Sequence, residues 1–284
     1  MPNSIQSIRF GRVPYGAYGD MYRDHQGLLE YLSGSIQKKV DLVLFANYGA
    51  MVQAIREGSL ELAWLGPLAY LEAESALQSE SGGHYELVPI VKPRRRGRSD
   101  YAAEIIVRKD SGIDTIGELA GRRLACVDTE STAGHLLAVA HLIKSGISVE
   151  DPLFQRRYFV NQYGNVVLSV LFGKYDAGAV FEGAPAVFLK GREKDRLVEL
   201  NVLTRSDPVP YEPIAAVVGG RLRGPDAERF QRLFLDLEGR PELLKNLQVD
   251  GFVRASAAEY GPIREIVKLA AAVRGKESPH AVLP

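Results

Sequence analysis

Cysteine is nearly missing from these 284 residues, and the single Cys126 excludes an intramolecular disulfide and any Cys-rich metal site. Net charge is missing too, because 35 Lys and Arg balance 35 Asp and Glu. Chains that work on nucleic acid or anionic lipid carry a basic excess, so no nucleic acid partner is expected. No apolar run approaches the roughly 18 residues of a membrane span, and no membrane insertion is expected. Met1 to Ser7 show no basic segment followed by an apolar one. That fits either a cytosolic protein or an exported one whose leader has been removed. The histidines, His25, His84, His135, His141 and His280, include no pair at zinc spacing and no HExxH, so no metal is expected. GxGxxG and GxxxxGK[ST] are also absent, and no cofactor is implied.

What is present is a globular composition, 46% apolar and 25% charged, in a length that suits about two domains. Short apolar runs alternate with amphipathic stretches, the pattern of an α/β fold with largely parallel sheets. Strands are expected at 8–13, 41–46, 60–65, 87–91, 102–107, 123–127, 177–181 and 214–218. Helices are expected at 51–57, 131–145, 165–172 and 227–237. Two segments echo each other, Ala54 to Trp64 and Ser169 to Ala179. Each reads as a helix end, a Gly stop, an acid three residues later and a buried strand, as when Gly takes the left-handed position after a helix. This suggests two similarly built lobes. The most biased stretch, Lys92-Pro-Arg-Arg-Arg-Gly-Arg98, reads as a solvated loop, given Pro93 and Gly97.

The most informative segment is Leu124-Ala-Cys-Val-Asp-Thr-Glu-Ser-Thr-Ala-Gly-His135. A buried strand leads to a small polar turn, and an apolar helix begins near Ser131. Such a start offers backbone N–H groups and the positive end of the helix dipole, so Ser131, Thr132 and the amides of Ala133 and Gly134 suit an anion. Simple N-capping by Thr129 or Ser131 explains the same residues. Hydrolysis by Ser131 with His135 is disfavoured, because no GxSxG elbow is present and no acid orients the histidine. Thirteen tyrosines, among them Tyr15, Tyr18, Tyr48, Tyr70, Tyr101, Tyr163 and Tyr211, gather near turns, where a phenol supplies a neutral donor on a rigid ring.

Four phrases together resemble the PhnD-like family of phosphate, phosphite and phosphonate substrate-binding proteins of ABC transporters. They are Asn47-Tyr48-Gly49-Ala50 leading to Gly58-Ser-Leu-Glu-Leu-Ala-Trp-Leu-Gly-Pro-Leu-Ala-Tyr70, Asp100-Tyr101 to Gly112, Asp128-Thr-Glu-Ser-Thr-Ala-Gly134, and Gly173-Lys-Tyr-Asp-Ala-Gly-Ala179. The resemblance implies a two-lobed type II periplasmic-binding-protein fold with a two-strand hinge near Tyr101 and Pro213. One lobe would comprise residues 1–101 plus 214–284, the other 102–213, with the ligand cleft between them and hinge closure around the ligand. It also implies a non-enzymatic protein that binds a small oxyanion, with an ABC permease as partner and a periplasmic or lipid-anchored extracytoplasmic location. A sensory domain for a receptor or histidine kinase, and an enzyme built on the same fold, are the alternatives.

The family's anion contacts carry onto Tyr48, Tyr101, Ser131 and Thr132, with Tyr15 a further tyrosine candidate. The acid that reads a ligand's amine falls on Glu212, and another acid on Glu182. Two positions depart from the family pattern: Ala133 replaces a third hydroxyl, and Tyr163 stands where the family has a histidine. A tyrosine stays neutral where a histidine can charge, so the preferred ligand charge is expected to differ. Arg12, at the end of the first strand, reads as a solvated side chain, the alternative being a positive charge for the site. Cys126 reads as a small buried hydrophobe.

Overall fold

The computed structural model describes residues 7–14, 18–80, 85–129 and 131–273. Its strands, in chain order, are β1 (Ile8–Arg12), β2 (Val40–Leu44), β3 (Leu62–Trp64), β4 (Glu86–Arg94), β5 (Asp100–Tyr101), β6 (Ala103–Arg108), β7 (Leu124–Cys126), β8 (Arg157–Phe159), β9 (Ala177–Phe181), β10 (Leu200–Arg205), β11 (Val209–Pro210), β12 (Ile214–Val218) and β13 (Gly251–Arg254). The chain divides into two compact units, one of residues up to Asp100 with Pro210–Gly261, the other of Tyr101–Val209 with residues from Pro262 on. The sequence reading kept residues 214–284 together in the first lobe, and the structure assigns the last segment to the second unit. The final helix, Gly261–Ala271, buries Ile263, Ile266 and Ala270, and buried Arg157 donates to the Val273 carbonyl just beyond it at 2.6 Å.

The first unit is built on a six-stranded sheet in the order β13-β4-β12-β3-β1-β2. β1 pairs in parallel with β2 and β3, whereas β12 runs antiparallel to both β3 and β4. Its core is aromatic: Phe10 meets Phe234 edge-on at 6.2 Å, Phe234 meets Phe252 at 5.3 Å, and Phe252 meets Trp64 at 5.8 Å. The second unit has a five-stranded sheet, β10-β6-β9-β7-β8, with β7 parallel to both neighbours and β6 antiparallel to β9 and β10. The helix Tyr163–Leu171 lies close on this sheet because Gly178 has no side chain: a Cβ there would stand 2.7 Å from Val166 Cγ1 and 2.9 Å from Val170 Cγ2.

The repeated segments form the same device in each unit. Gly58 and Gly173 take φ of 63° and 71°, which glycine adopts without the steric cost other residues meet. Their N–H groups donate to Ile55 and Val170, and the following N–H groups to Ala54 and Ser169, so both helices end in Schellman caps. The acid three residues on then grips the start of a neighbouring parallel strand. Glu61 accepts the Arg9 backbone N–H at 2.8 Å and its guanidinium at 3.0 and 3.2 Å; Asp176 accepts the Arg123 N–H at 2.8 Å and its guanidinium at 2.9 and 3.1 Å. The Arg123 guanidinium hydrogen bond holds the Asp176 carboxyl below its ordinary pKa against a partial desolvation cost.

The basic stretch is not a solvated loop. Lys92 and Arg94 belong to β4, where buried Lys92 pairs with Glu259 and Arg94 with Glu238 at 3.0 Å. Only Arg96 and Gly97 form the turn, with φ of 52° and 75°, and Arg95 and Arg98 bridge its ends. Two successive positive φ values are those of a tight hairpin turn whose twist matches the strands.

Candidate functional site

Parallel strands present their carboxyl ends on one edge of a sheet, where open α/β sheets bind ligands. In the second unit three segments leave that edge: Val127–Thr129 after β7, the 160–162 turn after β8, and Glu182 after β9. Pairing extends past the strands, with Val160 N donating to Cys126 O at 3.0 Å and Asn161 N to Val127 O at 2.8 Å, so the first two segments are held side by side. Cys126 itself is buried.

Ser131 caps the helix start, as its sequence context predicts. Its Oγ accepts the Gly134 N–H at 3.1 Å, and the helix begins with a π-type turn, Thr132–Leu136, before the α-helix Leu137–Lys144. The Leu136 N–H reaches back five residues to Ser131 O at 3.1 Å. Such π turns widen the first loop of the helix, and they recur at functional sites. Gly134 is required at this point: a Cβ would lie 2.4 Å from Val127 Cγ2. Ser131, Thr132 and Ala133 are all buried.

Tyr163 opens the next helix, and its hydroxyl lies 3.0 Å from Ser131 Oγ. Its ring belongs to a cluster of three. Phe181, the last residue of β9, stands edge-on to it at 4.8 Å, and Phe188 lies nearly parallel at 6.3 Å with an interplanar angle of 17°. Phe181 and Phe188 meet edge-on at 6.0 Å. Sequence reasoning missed both phenylalanines; their signal was a place one residue before Glu182 and six after it. Tyr101 is buried in β5, and Glu182 donates its N–H to Ala102 O at 3.0 Å, so its backbone lies beside the Tyr101–Ala102 segment.

Tyr48 and Glu212 belong to the first unit. Tyr48 opens the helix Tyr48–Arg56 behind an Asn47 cap that accepts the Ala50 N–H at 2.8 Å, and its ring lies against Gly66, where a Cβ would come within 3.2 Å. Glu212 accepts from Arg95 Nη2 at 2.7 Å, and the Arg95 guanidinium stacks 4.8 Å above the Tyr211 ring. The carboxylate thus has a cation of its own chain against it. Tyr15 lies outside the described residues.

Arg12 overturns the expectation of a solvated side chain: it is 5% exposed. Its guanidinium lies 3.5 Å above the Trp64 ring, and Nη1 donates to His25 Nε2 at 2.9 Å. An arginine cannot accept, so the His25 proton sits on Nδ1 and is donated to Met21 O at 2.8 Å. Burial first, and the Arg12 charge second, push the His25 pKa from 6.5 down to about 3. The second unit repeats the motif. Fully buried Arg157 lies 2.7 Å from His135 Nε2, whose Nδ1 faces Thr129 O at 3.1 Å. Both ring nitrogens of His135 are therefore directed at these partners rather than Ser131, the arrangement a Ser–His nucleophile would need. Among the described residues, no three His, Cys, Asp or Glu side chains gather to hold a metal, and no helix is long and apolar enough to cross a membrane.

Residues 10–260 match the family model described as "ABC transporter, phosphonate, periplasmic substrate-binding protein". The "Phosphate-import protein PhnD" of Mycolicibacterium smegmatis is 25% identical over 183 residues, covering 62% of this chain and 56% of that protein, so the match spans little more than half of the relative. The "Phosphonates-binding periplasmic protein" of Escherichia coli is 23% identical over 269 residues, 92% of this chain and 76% of that one. The crystal structure of PhnD1 from Prochlorococcus marinus in complex with methylphosphonate is similar in fold, with a TM-score of 0.77 and 19% identity over 95% of this chain and all of that one.

Proposed function

Since the chain belongs to the periplasmic substrate-binding protein family of phosphonate ABC transporters, we propose that it holds a small phosphorus oxyanion on the Ser131–Thr132 turn and hands it to an ABC importer on the outer side of the cytoplasmic membrane. The observation that carries this reading is the capped start of the helix after β7, with a second hydroxyl, that of Tyr163, 3.0 Å from Ser131 Oγ. A helix start carries N–H groups that the helix itself cannot satisfy, and its dipole favours an anion there. Hydroxyls and amides in a buried setting bind an anion by charge-assisted hydrogen bonds without a paired cation. Tyr101 and Tyr48 are further proposed donors, and Glu182 a proposed polar contact. Ala133 supplies no hydroxyl, so the turn offers one donor fewer than a run of three hydroxyl residues. Phosphate and phosphonate, named for the two curated relatives, bracket the expected ligands.

A thermal-shift panel of phosphate, phosphite, methylphosphonate, 2-aminoethylphosphonate, sulfate and arsenite tests the reading. A ligand at about 1,000 times its dissociation constant stabilises by about 4 kcal/mol. In a protein of this size that raises the Tm by several degrees. A selective rise with a phosphorus oxyanion is expected. A flat panel on folded, ligand-free protein refutes the assignment.

A further inference from the structure

Resting on that reading of the anion turn, we infer that the ligand's substituent is apolar and flat: an anion such as an arylphosphonate, rather than an aminoalkyl one. The three-ring cluster of Tyr163, Phe181 and Phe188 begins one hydrogen bond away from the turn, since the Tyr163 hydroxyl is the group that meets Ser131. All three rings pack on the core of the second unit and are only partly buried, so some aromatic surface stays uncovered in the cluster whose Tyr163 hydroxyl meets Ser131. Two of the rings lie nearly parallel and the third stands edge-on to both, so the cluster is formed without any ligand. Preformed aromatic surface gains from an apolar or aromatic group laid against it, in offset or edge-on geometry.

Charge at the candidate residues points the same way. The Glu212 carboxylate, the expected reader of an amine, already accepts from Arg95 at 2.7 Å, so its charge is offset by a cation of the same chain. Glu182 is the one candidate carboxylate beside the rings in sequence, and a preference for an amine would be its signature.

Isothermal titration of the full chain with phenylphosphonate, methylphosphonate, 2-aminoethylphosphonate and inorganic phosphate decides the matter. Phenylphosphonate is expected to bind roughly tenfold or more tightly than methylphosphonate. Phe188→Leu, which keeps apolar bulk but removes the ring, should collapse that ratio by about fivefold, and Phe188→Ala should do so at least as strongly. Methylphosphonate or 2-aminoethylphosphonate binding as tightly as phenylphosphonate overturns the inference while leaving the anion turn standing, as does an unchanged ratio in Phe188→Leu. Binding by none of the four overturns the anion turn itself.

Discussion

Acid should loosen the first unit through a single imidazole. In the unfolded chain His25 takes up a proton below about pH 6.5, but in the folded protein it stays neutral down to about pH 3, because it is buried and already accepts a hydrogen bond from Arg12. The unfolded state therefore binds the extra proton between these limits, and stability must rise with pH across that window and fall as pH drops through it. At about 1.4 kcal/mol per pH unit, moving from pH 7 to 4.5 removes roughly 2–3 kcal/mol, and the full window is worth about 5 kcal/mol. His25→Gln is the control, since a glutamine oxygen can accept from Arg12 Nη1 but does not titrate. Carboxylates titrate alike in both proteins and cancel in the difference. The single tryptophan, Trp64, reports the transition directly, since its ring lies under Arg12 and 6.2 Å from the His25 ring. Urea melts followed by its fluorescence should show wild type losing roughly 2–3 kcal/mol relative to His25→Gln between pH 7 and pH 4.5. A stability gap that stays constant over that range would show that His25 is not held neutral and would refute the argument.

Two further expectations follow from close geometry. Ser131→Ala removes both a helix cap and a donor to the proposed anion, so it should cost about 1 kcal/mol of stability and about 1–3 kcal/mol of affinity for the best anion of the panel. Tyr163→Phe, which leaves the cap intact, should weaken binding without lowering the urea midpoint. Unchanged affinity in both variants would dismiss the turn as a binding site. Gly178→Ala should destabilise the second unit by roughly 1–3 kcal/mol, because the new methyl meets Val166 and Val170, two helical valines held in one rotamer. A change of stability below about 0.5 kcal/mol would mean the helix shifts off the sheet at almost no cost.

How much of this was legible in the sequence differs from element to element. The strands Ala177–Phe181 and Ile214–Val218 end where their apolar runs end, since a strand buried on both faces is an unbroken apolar run. The long helix Tyr18–Ile36 was not read at all. It carries Gly19, Gly27 and Gly34, which lower helix propensity, and one of them serves packing: a Cβ on Gly27 would lie 2.5 Å from Leu243 Cδ2. The last helix was assigned to the wrong unit, because chain position does not reveal that buried Arg157 takes its partner from the Val273 carbonyl.

By its sequence alone the chain determined its α/β class, its paired helix-glycine-strand segments, the capped helix start at Ser131 and its family likeness. These follow from local periods and single-residue conformational preferences. Tertiary structure alone decided what the distant residues do: that Tyr163 meets Ser131 across 32 positions, that Phe181 and Phe188 close an aromatic cluster around it, that Arg95 occupies Glu212, and that Arg12 and Arg157 are buried against histidines. A side chain's charge and size are written locally, but its partner is set by which loops the sheet brings to the same edge, and that register exists only once the strands have paired.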